Sequence, residues 1–254
     1  MASTKHKEEM TQMERALIGA KLSAHAYKTE KQAIAATKKM GFPWCKLISK
    51  DGAECLVVKD RNDLWFAFRG TEPTQFSDII ADIKAWPADA ETKGHVHSGF
   101  KGELDKLYPN IRKWLGKKVT TKKLVITGHS LGAAMATICT SRFHELGANQ
   151  VLYTYGCPRT GNKEWGEQFK DIEAYRFVNN NDIVTRVPFF GYYKHVGTLH
   201  YITYDVHVKT KVTAWQRFKD RMKGTGKAIT KFQFFDGLYD HFGNQYIKKI
   251  KTRK

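Results

Sequence analysis

Residues 123–140 read KLVITGHSLGAAMATICT, and the character of the chain changes at Gly128. The residues before it, 124–127, are apolar or β-branched, which predicts a buried strand. The residues after Ser130 are small and rich in alanine, which predicts a helix. A strand that turns into a helix through a Gly-x-Ser-x-Gly motif is typical of a turn that presents a nucleophilic serine.

The motif gives Ser130 the surroundings that a serine nucleophile needs. Gly128 and Gly132 leave room for a tight turn, because neither carries a side chain. The same turn directs the amide of Leu131 and the N-terminus of the following helix towards an oxyanion. The alternative is an incidental serine in a glycine-rich turn, but the strand before it and the helix after it favour the nucleophile.

A nucleophilic serine at such a turn requires an acid and a histidine base, and both are expected after it along the chain. Asp182 lies in an asparagine-rich loop after a predicted strand, although a turn or capping aspartate would look the same. The histidines that follow are His195, His200, His207 and His241. Chain order does not choose among them. Position near the last predicted helix favours His241, with His195 second, and a strand pattern favours packing roles for His200 and His207.

The remaining pattern predicts an α/β fold. Strands and helices alternate, so we expect a mostly parallel central sheet with helices on both faces. We expect one domain over residues 1–254, with a basic C-terminal segment over about 206–254. The predicted strands are 45–49, 54–59, 64–69, 123–127, 150–155, 173–178 and 199–208; the predicted helices are 7–40, 97–115, 130–146, 162–169, 215–223 and 238–250.

Two of the four cysteines flank a predicted hairpin turn at Asp51-Gly52. In a two-residue turn Cys55 faces Ile48 and Cys45 faces Val58, so the two thiols are not cross-strand partners. We therefore expect reduced cysteines. Their spacing matches no zinc site, and no metal or organic cofactor is predicted.

The chain is strongly basic. Lys and Arg number 43 against 25 Asp and Glu, a formal charge of +18, which should attract anionic partners. The N-terminus lacks the apolar segment of a secretory signal, so a cytoplasmic location is expected, with peripheral membrane contact or export by another route left open. No specific nucleic acid is predicted as a partner.

Five segments resemble, in order, the signature segments of class 3 lipases, which have the α/β-hydrolase fold. They are FRGT (68–71), VHSGF (96–100), GHSLGAA (128–134), YGCPRTGN (155–162) and NDIVTRVP (181–188). The resemblance implies a triad of Ser130, Asp182 and His241, and oxyanion donors at Thr71 and the Leu131 amide. It also implies that His195 is not the catalytic base.

The stretch over residues 74–86 is similar to the helical lid of family lipases. Its apolar face is formed by Phe76, Ile79, Ile80, Ile83 and Trp86. A core helix between two strands would show the same single apolar face, so both interpretations stay open.

A second amphipathic segment lies near the C-terminus. Residues 209–231 carry eight Lys or Arg and one acid, while Val212, Trp215, Phe218 and Met222 recur on one side. Such a segment could bind an anionic membrane, or it could be a solvated basic face over a packed apolar stripe.

The leading functional prediction is a serine lipase or esterase that cleaves carboxylic esters of lipids, as a phospholipase A1-like enzyme or an acylglycerol lipase. Its mechanism would use an acyl-serine intermediate. The alternatives are a feruloyl-type esterase without action on lipids, and a catalytically silent module that binds anionic membrane or nucleic acid.

Overall fold

A computed structural model describes residues 10–60, 63–70, 86–188, 191–225 and 239–253. The strands are β1 (Trp44–Lys50), β2 (Ala53–Lys59), β3 (Asp63–Phe68), β4 (Pro87–Asp89), β5 (His95–His97), β6 (Lys123–His129), β7 (Gln150–Tyr155), β8 (Glu173–Asn179), β9 (Thr198–Ile202) and β10 (Val208–Lys209). The helices are α1 (Gln12–His25), α2 (Glu30–Lys39), α3 (Ser98–Leu115), α4 (Lys118–Thr121), α5 (Leu131–His144), α6 (Lys163–Gly166), α7 (Ala214–Thr225) and α8 (Gly243–Lys251), with 3-10 helices at Glu167–Lys170 and Val184–Arg186.

The main sheet has the order β1-β2-β3-β6-β7-β8-β9-β10. Strands β3, β6, β7, β8 and β9 are parallel, whereas β1 and β2 at one edge and β10 at the other are antiparallel to their neighbours. The predicted mostly parallel sheet is thus confirmed. Parallel strands place their carboxyl ends at one edge of the sheet, where loops carry ligand-binding and catalytic groups.

Two apolar cores cover the two faces of this sheet. On one face, α3 and α5 contribute Leu104, Ile111 and Phe143. On the other face, α1 and α8 contribute Leu22 and Ile250. Helices on both faces agree with the sequence prediction, and they explain why the central strands β6 and β7 are almost entirely buried.

The β1–β2 hairpin has the register that the sequence predicted. Ile48 pairs with Cys55 and Cys45 pairs with Val58. All four cysteines are free thiols.

Three element predictions were wrong in detail. The helix predicted over 7–40 consists of α1 and α2, because Thr29 starts a new helix with its own capping box. The strand predicted over 199–208 turns back on itself as β9 and β10, with Val206 in a positive-φ conformation at the turn. The helix predicted over 162–169 divides into α6 and a 3-10 helix.

No helix in the described ranges has the length and apolar character needed to cross a bilayer. Within the same ranges, His, Cys, Asp and Glu side chains form no cluster of three that could hold a metal ion.

Candidate active site

Ser130 stands at the turn between β6 and α5 with φ 59° and ψ −129°. A Cβ on Gly128 would lie 2.2 Å from the carbonyl oxygen of Gly132, and a Cβ on Gly132 would lie 2.2 Å from that of Phe68. Both positions therefore require glycine, because the backbone of the turn packs against itself and against the end of β3. The strained φ of a non-glycine residue at this point is typical of a functional turn.

Asp182 and His241 form a buried pair. Nδ1 of His241 lies 2.9 Å from Oδ1 and 3.0 Å from Oδ2 of Asp182. The N–H of Val184 also donates to Oδ1, at 2.9 Å. Burial raises the pKa of Asp182, but His241 and the hydrogen bonds outweigh it, so the pKa lies below its usual value. The carboxylate is therefore ionised and orients the imidazole through Nδ1.

Tyr246 supports this pair from α8. Its hydroxyl donates to Oδ2 of Asp182 at 2.5 Å and accepts from the N–H of Asn179 at 3.0 Å. Burial and the adjacent carboxylate hold the pKa of Tyr246 well above its usual value, so the phenol remains a donor.

The residues around Ser130 contact His241 from two directions. The N–H of Ser130 donates to the carbonyl of Tyr155 at 3.0 Å. Gly156 follows Tyr155 in the chain. A Cβ on Gly156 would lie 2.8 Å from Nδ1 of His241 and 2.7 Å from Oδ2 of Asp182. On the other side, the ring of His129 lies with its centroid 4.5 Å from that of His241. The structure thus places Asp182 and His241 in contact and packs His129, the residue before Ser130, against the ring of His241.

His129 also fixes the backbone of the segment that carries His241. Its Nε2 lies 2.5 Å from the carbonyl oxygen of His241, and its Nδ1 lies 3.3 Å from the hydroxyl of Tyr27. Burial and the neighbouring His241 lower the pKa of His129 to about 3, so the ring is neutral. Nε2 therefore carries the proton that it donates to the carbonyl, and Nδ1 accepts from Tyr27.

Asp240 anchors the same segment to the loop before Asp182. Its Oδ2 accepts from the N–H of Asn181 at 3.1 Å, and its Oδ1 lies 3.0 Å from Nζ of Lys249. Oδ1 and the carbonyl of Asp240 also accept from the side-chain amide of Asn179, at 3.1 and 2.8 Å. His241 therefore follows a residue that is fixed on three sides.

The other candidate histidines lie elsewhere. His195 donates through Nε2 to the carbonyl of Thr185 at 2.8 Å. His200 is buried in β9 and its Nε2 lies 2.9 Å from the side-chain nitrogen of Gln12. His207 is exposed in the turn before β10, so the packing role predicted for it was wrong.

The predicted oxyanion donors are described only in part. Leu131 is the first residue of α5, directly after Ser130. Thr71 lies outside the described residues, as do Phe76, Ile79, Ile80 and Ile83 of the predicted lid. Trp86 is described and is 69% exposed. The lid and the second donor therefore stay predictions.

Sequence reasoning missed Tyr246, Asp240 and the role of His129. The hydrogen bonds of Tyr246 and Asp240 to residues 179–182 join positions about sixty residues apart, and no periodic pattern marks such pairs. The one available signal was the adjacency of Asp240 to the predicted base.

The model of the family described as lipase (class 3) matches residues 65–192. This chain belongs to the class 3 lipase family. Among curated relatives of this chain, the toxin TseL of Vibrio cholerae is 31% identical over 180 residues, 69% of this chain and 26% of that protein. Secreted mono- and diacylglycerol lipase 1 of Fusarium solani is 38% identical over 104 residues, 38% of this chain and 31% of that protein. The chain thus spans about a quarter to a third of the length of these relatives.

Solved structures share the fold of this class 3 lipase. MDLA from Penicillium cyclopium, in a mutant form, superposes with a TM-score of 0.71 at 22% identity, covering 97% of this chain and all of that one. The triacylglyceride lipase of Rhizomucor miehei gives 0.66 at 22% identity, covering 92% and 94%. The α/β-hydrolase fold that the sequence predicted is confirmed.

Proposed function

We propose that this class 3 lipase hydrolyses carboxylic ester bonds of lipids, with Ser130 as nucleophile, His241 as base and Asp182 as the orienting acid. One observation carries the proposal: Nδ1 of His241 is held by both carboxylate oxygens of Asp182, while the ring of His129, which directly precedes Ser130, packs against the same imidazole. That arrangement leaves Nε2 as the proton acceptor, as a serine hydrolase requires.

The reaction follows from these roles. Oγ of Ser130 attacks the ester carbonyl carbon and its proton passes to Nε2 of His241. The N–H of Leu131, with Thr71 as the second proposed donor, stabilises the oxyanion. Collapse of the tetrahedral intermediate transfers the proton from His241 to the leaving alcohol and forms acyl-Ser130. Water, deprotonated by His241, then releases the carboxylic acid and restores the serine.

A fluorophosphonate probe separates this proposal from a catalytically silent module. The unmutated chain should be labelled covalently, and Ser130→Ala should not be. Absence of labelling in the unmutated chain, or equal labelling of Ser130→Ala, would show that the serine is not an activated nucleophile.

We propose an anionic phospholipid as the substrate class. The formal charge of +18 attracts the protein to membranes that carry negative headgroups. Acylglycerol is the second candidate, supported by the name of the Fusarium relative. Release of fatty acid from vesicles of phosphatidylglycerol or phosphatidylcholine and from an emulsion of triacylglycerol, each at low and high salt, distinguishes them. A preference for phosphatidylglycerol that disappears at high salt supports the first candidate.

Helix α7 supports peripheral contact with the membrane. Trp215 and Phe218 stack at 5.4 Å and are 61% and 48% exposed, so this apolar stripe is not packed against a core. Exposed aromatic side chains on a basic helix are typical of interfacial binding. Trp215→Ser should weaken sedimentation with anionic vesicles, whereas Ile34→Ser, which removes a similarly exposed apolar side chain from α2, should not.

A further inference from the structure

A cavity of about 370 Å³ lies beside α7, and its wall does not include Ser130, Asp182 or His241. Its volume is in the range of about 300–1,000 Å³ that small-molecule sites occupy. The lining contains five arginines: Arg159, Arg176, Arg186, Arg217 and Arg221.

These arginines converge from four parts of the fold. Arg176 projects from β8, and Arg217 and Arg221 lie one turn apart on α7, on the same face. The other two are fixed by hydrogen bonds: Arg159 donates to the carbonyls of Arg186 and Pro188, and Arg186 donates to the side-chain oxygen of Asn181 at 2.8 Å. The guanidinium groups of Arg159 and Arg186 are therefore held in place at the cavity.

Within the part of the chain that the structure describes, four of the five arginines have no carboxylate at ion-pair distance: Arg159, Arg176, Arg186 and Arg217. Nε of Arg176 and Nε of Arg217 are shielded from solvent and have no hydrogen-bond partner among the described atoms.

Two carboxylates that act electrostatically on arginines of the cavity are also engaged in other hydrogen bonds. Asp220 accepts from the hydroxyl of Tyr201 at 3.1 Å and from the N–H of Tyr204 at 3.0 Å, and Asp182 holds His241. Asp182 attracts Arg186 and Asp220 attracts Arg221, but among the described residues neither carboxylate lies at ion-pair distance from these arginines.

Holding these charges together has an electrostatic cost. Burial, together with the nearby Arg217 and Arg159, lowers the pKa of Arg176 to about 10, so the group is still charged at neutral pH but is destabilised by its surroundings. A solvated basic face would not carry such a cost, because its side chains extend into water. Arg217 is half-buried and turned towards the sheet, unlike the exposed Lys219 on the same helix.

We propose that this arginine cavity is a binding site for a phosphate-bearing anion, separate from the ester-cleaving site. The planar guanidinium fork matches the oxygens of a phosphate group, and clusters of arginines are a recurring means of binding phosphorylated ligands. Two or more guanidinium groups can share the charge of one phosphate, which relieves their mutual repulsion. The phosphate can come from a soluble ester or from a phospholipid headgroup.

Calorimetric titration of the full chain tests the site with pyrophosphate and glycerol 3-phosphate, with sodium chloride at matched ionic strength as the reference. Saturable binding is expected. Arg176→Gln and Arg217→Gln should each weaken it at least ~10-fold, since each removes a charge-assisted contact. Lys219→Gln removes the same unit charge from α7 outside the cavity and should change the affinity by less than ~2-fold.

Vesicles of phosphatidylcholine with and without phosphatidic acid distinguish the two sources of phosphate. Binding of pyrophosphate or glycerol 3-phosphate that depends on Arg176 and Arg217 supports a soluble ligand. Arginine-dependent binding to phosphatidic acid vesicles alone supports a lipid headgroup. If neither probe binds, or if Lys219→Gln weakens binding as much as Arg217→Gln, general surface charge accounts for the behaviour and the site is refuted.

The thermal midpoints of both arginine variants, measured without ligand, should equal or exceed that of the unmutated chain, which separates lost binding from lost folding.

Discussion

The hydroxyl of Tyr246 donates to Oδ2 of Asp182 at 2.5 Å, on the carboxylate that also holds Nδ1 of His241. The same hydroxyl accepts from the N–H of Asn179. One side chain of the last helix therefore connects the end of β8 to the proposed catalytic acid. The stability of α8 and the geometry of the site are coupled through this contact.

Tyr246→Phe should lower the free energy of unfolding by ~2–3 kcal/mol at pH 7, because a buried carboxylate loses a donor and Asn179 loses an acceptor. Urea denaturation at pH 7 measures the loss. The pKa of Asp182 lies below its usual value of 3.8, so stabilisation of the ionised form is present above that pH and is lost on acidification. The deficit of the variant should therefore shrink below about pH 4.

Tyr239→Phe is the matched control, since it removes the hydroxyl of a 54% exposed tyrosine in the same segment. Its stability should stay within ~0.5 kcal/mol of the unmutated chain. Equal stability of Tyr246→Phe and Tyr239→Phe would contradict a structural role for the bond to Asp182.

Gly156→Ala should reduce ester hydrolysis at least ~100-fold, because a displacement of about 1 Å in catalytic groups can have an effect of that size. The glycine has φ +60°, and its Cβ would crowd both Asp182 and His241.

Gly147→Ala is the control: its φ is +69°, but nothing lies within 4 Å of the added Cβ. It should lose ~1 kcal/mol of stability from backbone strain and retain its kcat. Steady-state kinetics on a soluble ester, with both variants shown to be folded, make the comparison. Similar kcat values for the two variants would mean that crowding at Gly156 does not reach the reacting groups.

Asp240→Asn tests how the segment that carries His241 is held. The substitution leaves Lys249 without its charge partner and removes one acceptor, so kcat should fall ~10-fold, and stability by ~1–3 kcal/mol. KM should change little, because Asp240 anchors the base and is not proposed to contact substrate. Asp205→Asn breaks an exposed pair with Lys223 and should cost less than ~1 kcal/mol. An unchanged kcat in Asp240→Asn would show that the position of His241 is set by other contacts.

Local patterns explain why so much of the fold was predictable. The strand at 150–155 (QVLYTY) is rich in β-branched, aromatic and apolar residues, and the turn at Asp51-Gly52 fixed the register of the first hairpin. Two predicted elements were too long because each contains a short local feature that ends it. The capping box at Thr29 divides the first helix, and the turn at Val206 divides the last predicted strand.

The candidate site was predictable only where it follows a motif or chain order. Ser130 lies in the Gly-x-Ser-x-Gly turn, and Asp182 follows a strand. Tyr246 and the arginine cavity had no such signal, because their contacts join distant residues and depend on how α7 and α8 dock. The spacing of basic residues in α7 did not show that Arg217 and Arg221 face the cavity, because basic residues on a solvated face would have the same spacing.

Acidification should unfold the chain through its buried neutral histidines. Burial lowers the pKa of His97 to about 4 and that of His129 to about 3, whereas a histidine in the unfolded chain titrates near 6.5. The unfolded state therefore binds more protons than the folded state below about pH 6.5. Between about pH 6 and 4.5, each histidine lowers the free energy of unfolding by ~1.4 kcal/mol for every unit that the pH falls. The two together should reduce the unfolding free energy by ~3 kcal/mol per unit, which is large against a typical total of ~5–15 kcal/mol.

His97→Asn isolates one of these terms. Nδ1 of His97 accepts from the N–H of Gly99 at 3.1 Å at the start of α3, and asparagine is a preferred residue at that capping position that does not titrate. The variant should match the unmutated chain to within ~1 kcal/mol at pH 7.5, and the slope of its unfolding free energy between pH 6 and 4.5 should fall by ~1.4 kcal/mol per unit. Urea denaturation at several pH values gives that slope. An unchanged slope would mean that His97 takes up its proton in the folded state, and acid sensitivity would then arise from other buried groups, among them His129 and His195.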